Sequence, residues 1–170
     1  PETDWGGRAI NEGFRKIQTV FRFLSILLLA AFLPATAAGQ GEPVLISFLN
    51  VGQGDAILIQ APEGQTALID AGPGVPLVPM LQAHGVEALD LVVASHPHAD
   101  HIGGMGQVLQ SIPVRYYMDN GVPHTTATYL AVMQELRKHP GITYLEASPR
   151  TLGLGSVSLR ILPLPPRSTS

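Results

Sequence analysis

The chain has 170 residues, 45% of them hydrophobic and 14% charged, with a net charge of −3. That length suits one domain, the apolar share excludes a disordered chain, and the slight negative charge leaves no whole-chain basic footprint for nucleic acid. Cysteine is absent, which excludes disulfides, thiolate metal sites and a cysteine nucleophile, so any metal must be held by histidines and carboxylates.

Residues 15–38 have the pattern of an export signal. Arg15, Lys16 and Arg22 supply positive charge, and Phe23 to Phe32 is an apolar stretch broken only by Ser25. Pro34 ends it, and Ala35-Thr36-Ala37 offers the small residues a signal peptidase needs, so cleavage is expected after Ala37 and the remainder outside the cytoplasm, periplasmic or secreted. The alternative is an uncleaved membrane anchor over residues 17–38, but its apolar part falls short of the about 20 residues a span needs. Residues 1–37 are therefore expected to be upstream residues plus a signal or membrane segment, and residues 38–170 one domain. The chain begins at Pro1 and its first methionine is Met80, so residues 1–14 are expected to precede the natural start or to belong to an incomplete record. The proline-rich residues 163–170 directly follow a strand and look like a cut inside a domain.

Past the signal, β-branched and apolar runs predict strands at Val44–Asn50, Ala56–Gln60 and Thr66–Ile69, separated by Gly52-Gln53-Gly54 and Pro62-Glu63-Gly64 turns. Leu77, Met80, Leu81 and His84 have helical spacing, with Gly85 suited to a C-cap. Leu89–Ala94 is a short apolar run broken only by Asp90, as expected of a strand buried on both faces. A compact loop follows, then a helix through Met105, Val108 and Leu109. Val114–Met118 predicts a strand, and Thr125–Lys138 a helix stopped by Pro140. Ile142–Leu145 and Val157–Leu162 are the last predicted strands. Strands first, then strand and helix in alternation, predict an α/β (α+β) domain with a mixed sheet and packed helices.

The segment Ser95-His96-Pro97-His98-Ala99-Asp100-His101-Ile102-Gly103-Gly104 holds three of the six histidines within six residues. His96 and His98 are two apart and point the same way in an extended segment, so they can chelate one ion. Asp100 and His101 are adjacent and must point differently, towards a second ion. Imidazole and carboxylate suit Zn²⁺, and also Mn²⁺ or Fe. The cluster follows a buried strand, whose C-terminal end is where ligands commonly bind. Gly103 and Gly104 let the following helix approach closely.

The H-x-H-x-D-H pattern after an apolar strand resembles the metallo-β-lactamase fold hydrolases. Asn50-Val51-Gly52-Gln53-Gly54-Asp55-Ala56 and Leu68-Ile69-Asp70-Ala71-Gly72 resemble the V-G-Q-G-D-A and L-I-D-A-G segments of the competence-protein (ComEC) branch. Asp119-Asn120-Gly121 with Thr126 and Tyr129 is similar to a weaker pattern there. The resemblance covers about residues 44–162 and implies an αββα sandwich, of which this chain would carry the N-terminal half. It implies two divalent ions, the first on His96 and His98 and the second on Asp100 and His101, with a metal-activated hydroxide as nucleophile that Asp100 could orient. Asp70 would hydrogen-bond the metal loop, or serve only as a strand-end turn residue. Asp55 is favoured as a turn residue, and Asn50 stands where the branch often has Asp. The further ligands that the family draws from its second half have no matching motif here. His124 is expected in a solvated loop, and His84 and His139 at helix ends, where a dipole contact explains them.

The function this implies is an exported, metal-dependent hydrolase of phosphodiesters, with DNA or a nucleotide as substrate and contact with the membrane only through the N-terminal segment. Residues 38–170 carry six Lys and Arg against ten Asp and Glu, which weighs against a DNA substrate. The alternatives are a hydrolase of lactams or thioesters, or a truncated, non-catalytic domain that binds metal weakly.

Overall fold

The computed structural model describes residues 42–163. The expected export signal and the proline-rich residues 164–170 lie outside the described residues. Among the described residues no helix is long and apolar enough to cross a membrane.

The chain opens with an antiparallel meander of β1 (Leu45–Phe48), β2 (Ile57–Gln60) and β3 (Thr66–Ile69). It then alternates. Helix α1 (Leu77–Ala83) leads to β4 (Leu89–Val93), and the short α2 (Ala99–Ile102) with α3 (Met105–Ser111) leads to β5 (Val114–Asp119). Helix α4 (Ala127–Lys138) leads to β6 (Thr143–Glu146). Strands β3 to β6 are mutually parallel, and the six strands lie in sequence order in one mixed sheet. Each crossover steps to the next strand in the same direction, so a common right-handed sense puts all the helices on one face.

Alternation along the strands gives each face its own core. Leu58, Leu68, Val92 and Tyr117 point to the helices and pack with Leu77, Leu81, Met105, Val108 and Val132. Their neighbours Ile59, Ala67, Leu91 and Met118 point the other way. That second face is covered by a separate hairpin, β7 (Arg150–Leu154) with β8 (Val157–Ile161), through Leu152, Leu154, Val157, Leu159 and Ile161. The fold is thus a mixed α/β arrangement with a mixed sheet and packed helices.

Three details differ from the sequence reading. The expected loop after β4 contains the helical turn α2, because the His101 and Ile102 amides both bond back to the His98 carbonyl at 3.0 Å. Strand β7 was not expected: it has Gly153 inside it and Pro149 just before it, and its inward Leu152 and Leu154 gain meaning only against the second core. Helix α4 starts at Ala127 instead of Thr125, since Thr126 is its N-cap and its hydroxyl accepts from the Tyr129 amide.

Candidate metal centre

The site forms where β3 and β4 end side by side. Beyond them, three glycine-containing segments far apart in the chain are stitched together through their backbones. The Gly72 amide donates to the Asp55 carbonyl (2.9 Å), the Ala71 amide to the His101 carbonyl (2.7 Å), and the Gly104 amide to the Gly72 carbonyl (3.1 Å). Glycine is required where these segments touch. Gly54 has φ +87°, and a Cβ there would overlap the Asp100 carbonyl. A Cβ at Gly104 would overlap the Ala71 carbonyl.

This packing gathers the histidines. The rings of His96 and His98 are 4.7 Å apart between centroids, and those of His96 and His101 3.9 Å. His98 is the extended N-cap of α2 (φ −84°, ψ 148°), which keeps His96 and His98 on a non-helical stretch before the turn that carries Asp100 and His101. An Asp100 carboxylate oxygen lies 3.8 Å from His101 Nε2, too far for a hydrogen bond.

Asp70 organises two of these rings from below. It is 2% exposed and has φ +59°, the one positive φ of a non-glycine residue among the described residues. Its Oδ1 accepts from the Ser95 amide (2.8 Å), and its Oδ2 from the Ser95 hydroxyl (2.6 Å) and from His101 Nδ1 (2.8 Å). These bonds assign protons. A carboxylate only accepts, so His101 carries its proton on Nδ1 and leaves the Nε2 lone pair free. The Ser95 proton is committed to Asp70, so its oxygen accepts from His96 Nδ1 at 3.0 Å, and His96 also presents Nε2 as a lone pair. One buried carboxylate thus fixes the tautomers of two imidazoles 31 and 26 residues away in the chain, in the manner of carboxylate–histidine pairs behind metal ligands.

The donor set fits a divalent cation: three clustered imidazoles, two of them held with Nε2 available, and the Asp100 carboxylate. A second grouping, Asp55, Asp70 and His101, also brings three ligand-type atoms within 4.8 Å of one another. In it the imidazole atom is Nδ1, which is already committed to Asp70, and Asp55 Oδ2 lies 3.7 Å from the same nitrogen. We therefore read this trio as the acidic support behind His101. Asp55, favoured as a turn residue, has its carboxylate beside His101 with its side chain 62% exposed.

The remaining candidates lie apart from this group. His124 Nδ1 is next to the Thr126 hydroxyl (3.1 Å) at the start of α4. His84 and His139 are C-cap residues, and His139 also reaches Glu135 at 3.1 Å. Asn50 accepts from the Gly52 amide within its own turn. Sequence reasoning missed Ser95. Its position before the first histidine was visible, but its partner Asp70 was fixed only by the pairing of β3 with β4.

A family model described as the metallo-beta-lactamase superfamily matches residues 49–165 of this chain. The anti-Pycsar protein Apyc1 of Bacillus phage 010DV004 is 33% identical over 73 residues. The match covers 43% of this chain and 27% of that protein, so the chain spans only about a quarter of this relative. Among solved structures, a diphosphatase from the PhnP family aligns over 64% of this chain and 42% of its own, at 19% identity and a TM-score of 0.44. A metallo-beta-lactamase from Pontibacter korlensis aligns over 69% and 54%, at 20% identity and a TM-score of 0.42.

Proposed function

The chain belongs to the metallo-beta-lactamase superfamily, and we propose that it is an exported hydrolase that cleaves phosphodiesters with two divalent metal ions, Zn²⁺ being the ion its donors favour. The observation that carries the reading is the hydrogen-bond system centred on Asp70, which orients His101 directly and His96 through the Ser95 hydroxyl. A solvated polar loop has no reason to bury a carboxylate in a left-handed backbone and then use it to hold one histidine directly and a second through Ser95.

In this reading His96 and His98 hold one ion, and Asp100 and His101 the other. A bound divalent cation supplies Lewis acidity and makes water acidic enough to ionise near neutral pH. The chain's own residues do the rest. Ser95 and Asp70 keep two imidazoles in the tautomer that donates electrons from Nε2. The Asp100 carboxylate, about one-third exposed, is free of hydrogen bonds to other described side chains and can accept a proton or orient a water at the mouth of the site. The phosphodiester assignment draws on the V-G-Q-G-D-A and L-I-D-A-G segments of the competence-type branch. Ten acidic against six basic residues in 38–170 favour a nucleotide over long DNA. Export rests on residues 15–38, with 38–170 as the exported domain.

The test is a panel of bis-aryl phosphodiester, lactam and thioester substrates given to the protein with added zinc, with and without chelator. The reading expects chelator-sensitive cleavage of the phosphodiester alone. Cleavage of the lactam or thioester in preference would overturn the substrate class. Chelator-resistant turnover would overturn the metal. An intact mass of the protein secreted by its host should begin just after Ala37, and retention of the segment would overturn cleavage.

A further inference from the structure

The strand next to the histidine loop also ends in a buried carboxylate, which lies outside the hydrogen-bond system of Asp70. Asp119 closes β5, 5% exposed, one strand over from the histidine loop. Its Oδ1 accepts from the Gly121 amide at 2.8 Å and from the Tyr144 hydroxyl. Its Oδ2 is fully buried and has no hydrogen-bond partner among the described residues. Oδ1 is explained by an ordinary turn, in which the side chain bonds the amide two residues on. Oδ2 is not explained by it, and a buried acceptor left unpaired is costly, more so when charged.

That oxygen belongs to a residue lining a small cavity whose other walls include His96, Pro97, Tyr117 and Tyr129. The space open to a water's centre there is about 10 Å³, which is one water's worth. Burial and the hydrogen bond to Asp119 push the Tyr144 hydroxyl pKa up, so it stays protonated and donates to Oδ1. Both described donors thus go to Oδ1, and Oδ2 is left without one.

We propose that Asp119 is a positioning residue for the cation site: its Oδ2 holds one buried water in the cavity beside His96, and its negative charge strengthens cation binding at the histidine cluster. The inference rests on the cluster being a metal site. It adds a second carboxylate, bordering the same cavity as His96, that neither the histidine motif nor the Asp55–Asp70–His101 trio contains. Carboxylates hydrogen-bonded directly to metal ligands change metal affinity by about 10–100-fold when removed, and a charge acting through one water is expected at the lower end of that range.

Asp119→Asn separates this role from the turn. It keeps the Oδ1 acceptor for Gly121 and Tyr144 and removes the charge, so a purely structural role leaves metal binding unchanged. The measurement is zinc affinity by chelator competition, together with the visible absorption of the Co²⁺-loaded protein. The expected result is at least a tenfold weaker zinc affinity and an altered Co²⁺ spectrum, with the metal-free protein as stable as wild type. Zinc affinity within twofold of wild type and an unchanged spectrum overturn the proposal. Should the variant fail to fold, Tyr144→Phe carries the test, since it releases Oδ1 and is expected to weaken zinc several-fold; no change overturns the proposal. His96→Ala distinguishes the two readings: if wild type binds zinc and His96→Ala loses it while Asp119→Asn does not, this inference fails alone. If wild type binds no zinc, both fail.

Discussion

Asp70 and His101 are joined by a 2.8 Å hydrogen bond between a carboxylate oxygen that is almost wholly buried and a ring nitrogen at the edge of the histidine cluster. Asp70 ends β3 and His101 lies on the helical turn after β4, so the bond exists only when those strands pair in parallel register. It links the formation of the sheet to the chemical state of the imidazole.

Asp70→Asn tests that link. Asn tolerates the left-handed φ of +59°, so the backbone is spared. Its amide presents one acceptor where Ser95 and His101 now find two oxygens, and one donor must go unpaired. Stability should fall by about 1–3 kcal/mol, measured by urea unfolding of the metal-free protein, and an unchanged midpoint would show that these bonds do not matter to the fold.

Two glycines two positions apart in the chain give a matched pair. Gly52 has φ +81° with open space around it, whereas Gly54 has φ +87° and lies against the Asp100 carbonyl. Gly52→Ala should cost only the backbone penalty of about 1–2 kcal/mol and leave zinc affinity intact. Gly54→Ala should cost more and displace the segment that carries Asp100. Equal losses in urea unfolding and in zinc affinity would show that the close approach is unimportant.

Acid stability should depend on Glu135. Hydrogen bonds from Lys138, Gln110 and His139 hold its carboxyl down at about 2, against an ordinary 4.5. A pKa depressed in the folded state gives stability that is present above the unfolded value and lost as pH falls through the folded one. Wild type should therefore lose stability between about pH 4.5 and pH 2, and Glu135→Gln should flatten that limb. Parallel curves for the two proteins in this window would contradict the assignment.

Much of this was legible in the sequence where signals are local. β2, β3 and β4 are short segments dominated by β-branched residues and leucine, and the histidine spacing alone pointed to a candidate cation site. The hairpin strand β7 was not legible, because Gly153 interrupts a pattern whose inward leucines meet a core built by other strands. Asp70 offered two readings, a turn residue or a support for the loop, and its geometry combines them: a left-handed turn that aims the carboxylate at Ser95 and His101. Ser95, Asp55 and Asp119 take their partners from segments 25 or more residues away. No period or composition encodes such distances; they follow from strand pairing.

The central claim is that the three histidines and Asp100 are a cation site shaped by Asp70, and zinc titration of the full chain tests it most directly. Wild type and the variants His96→Ala, His98→Ala, Asp100→Ala and His101→Ala should be compared by chelator competition, with far-ultraviolet circular dichroism as the check on folding. The account predicts tight binding by wild type and a loss of at least about tenfold in every variant, with dichroism unchanged. Wild-type zinc affinity in His96→Ala and His101→Ala, the two rings whose tautomers the hydrogen bonds fix, would contradict it.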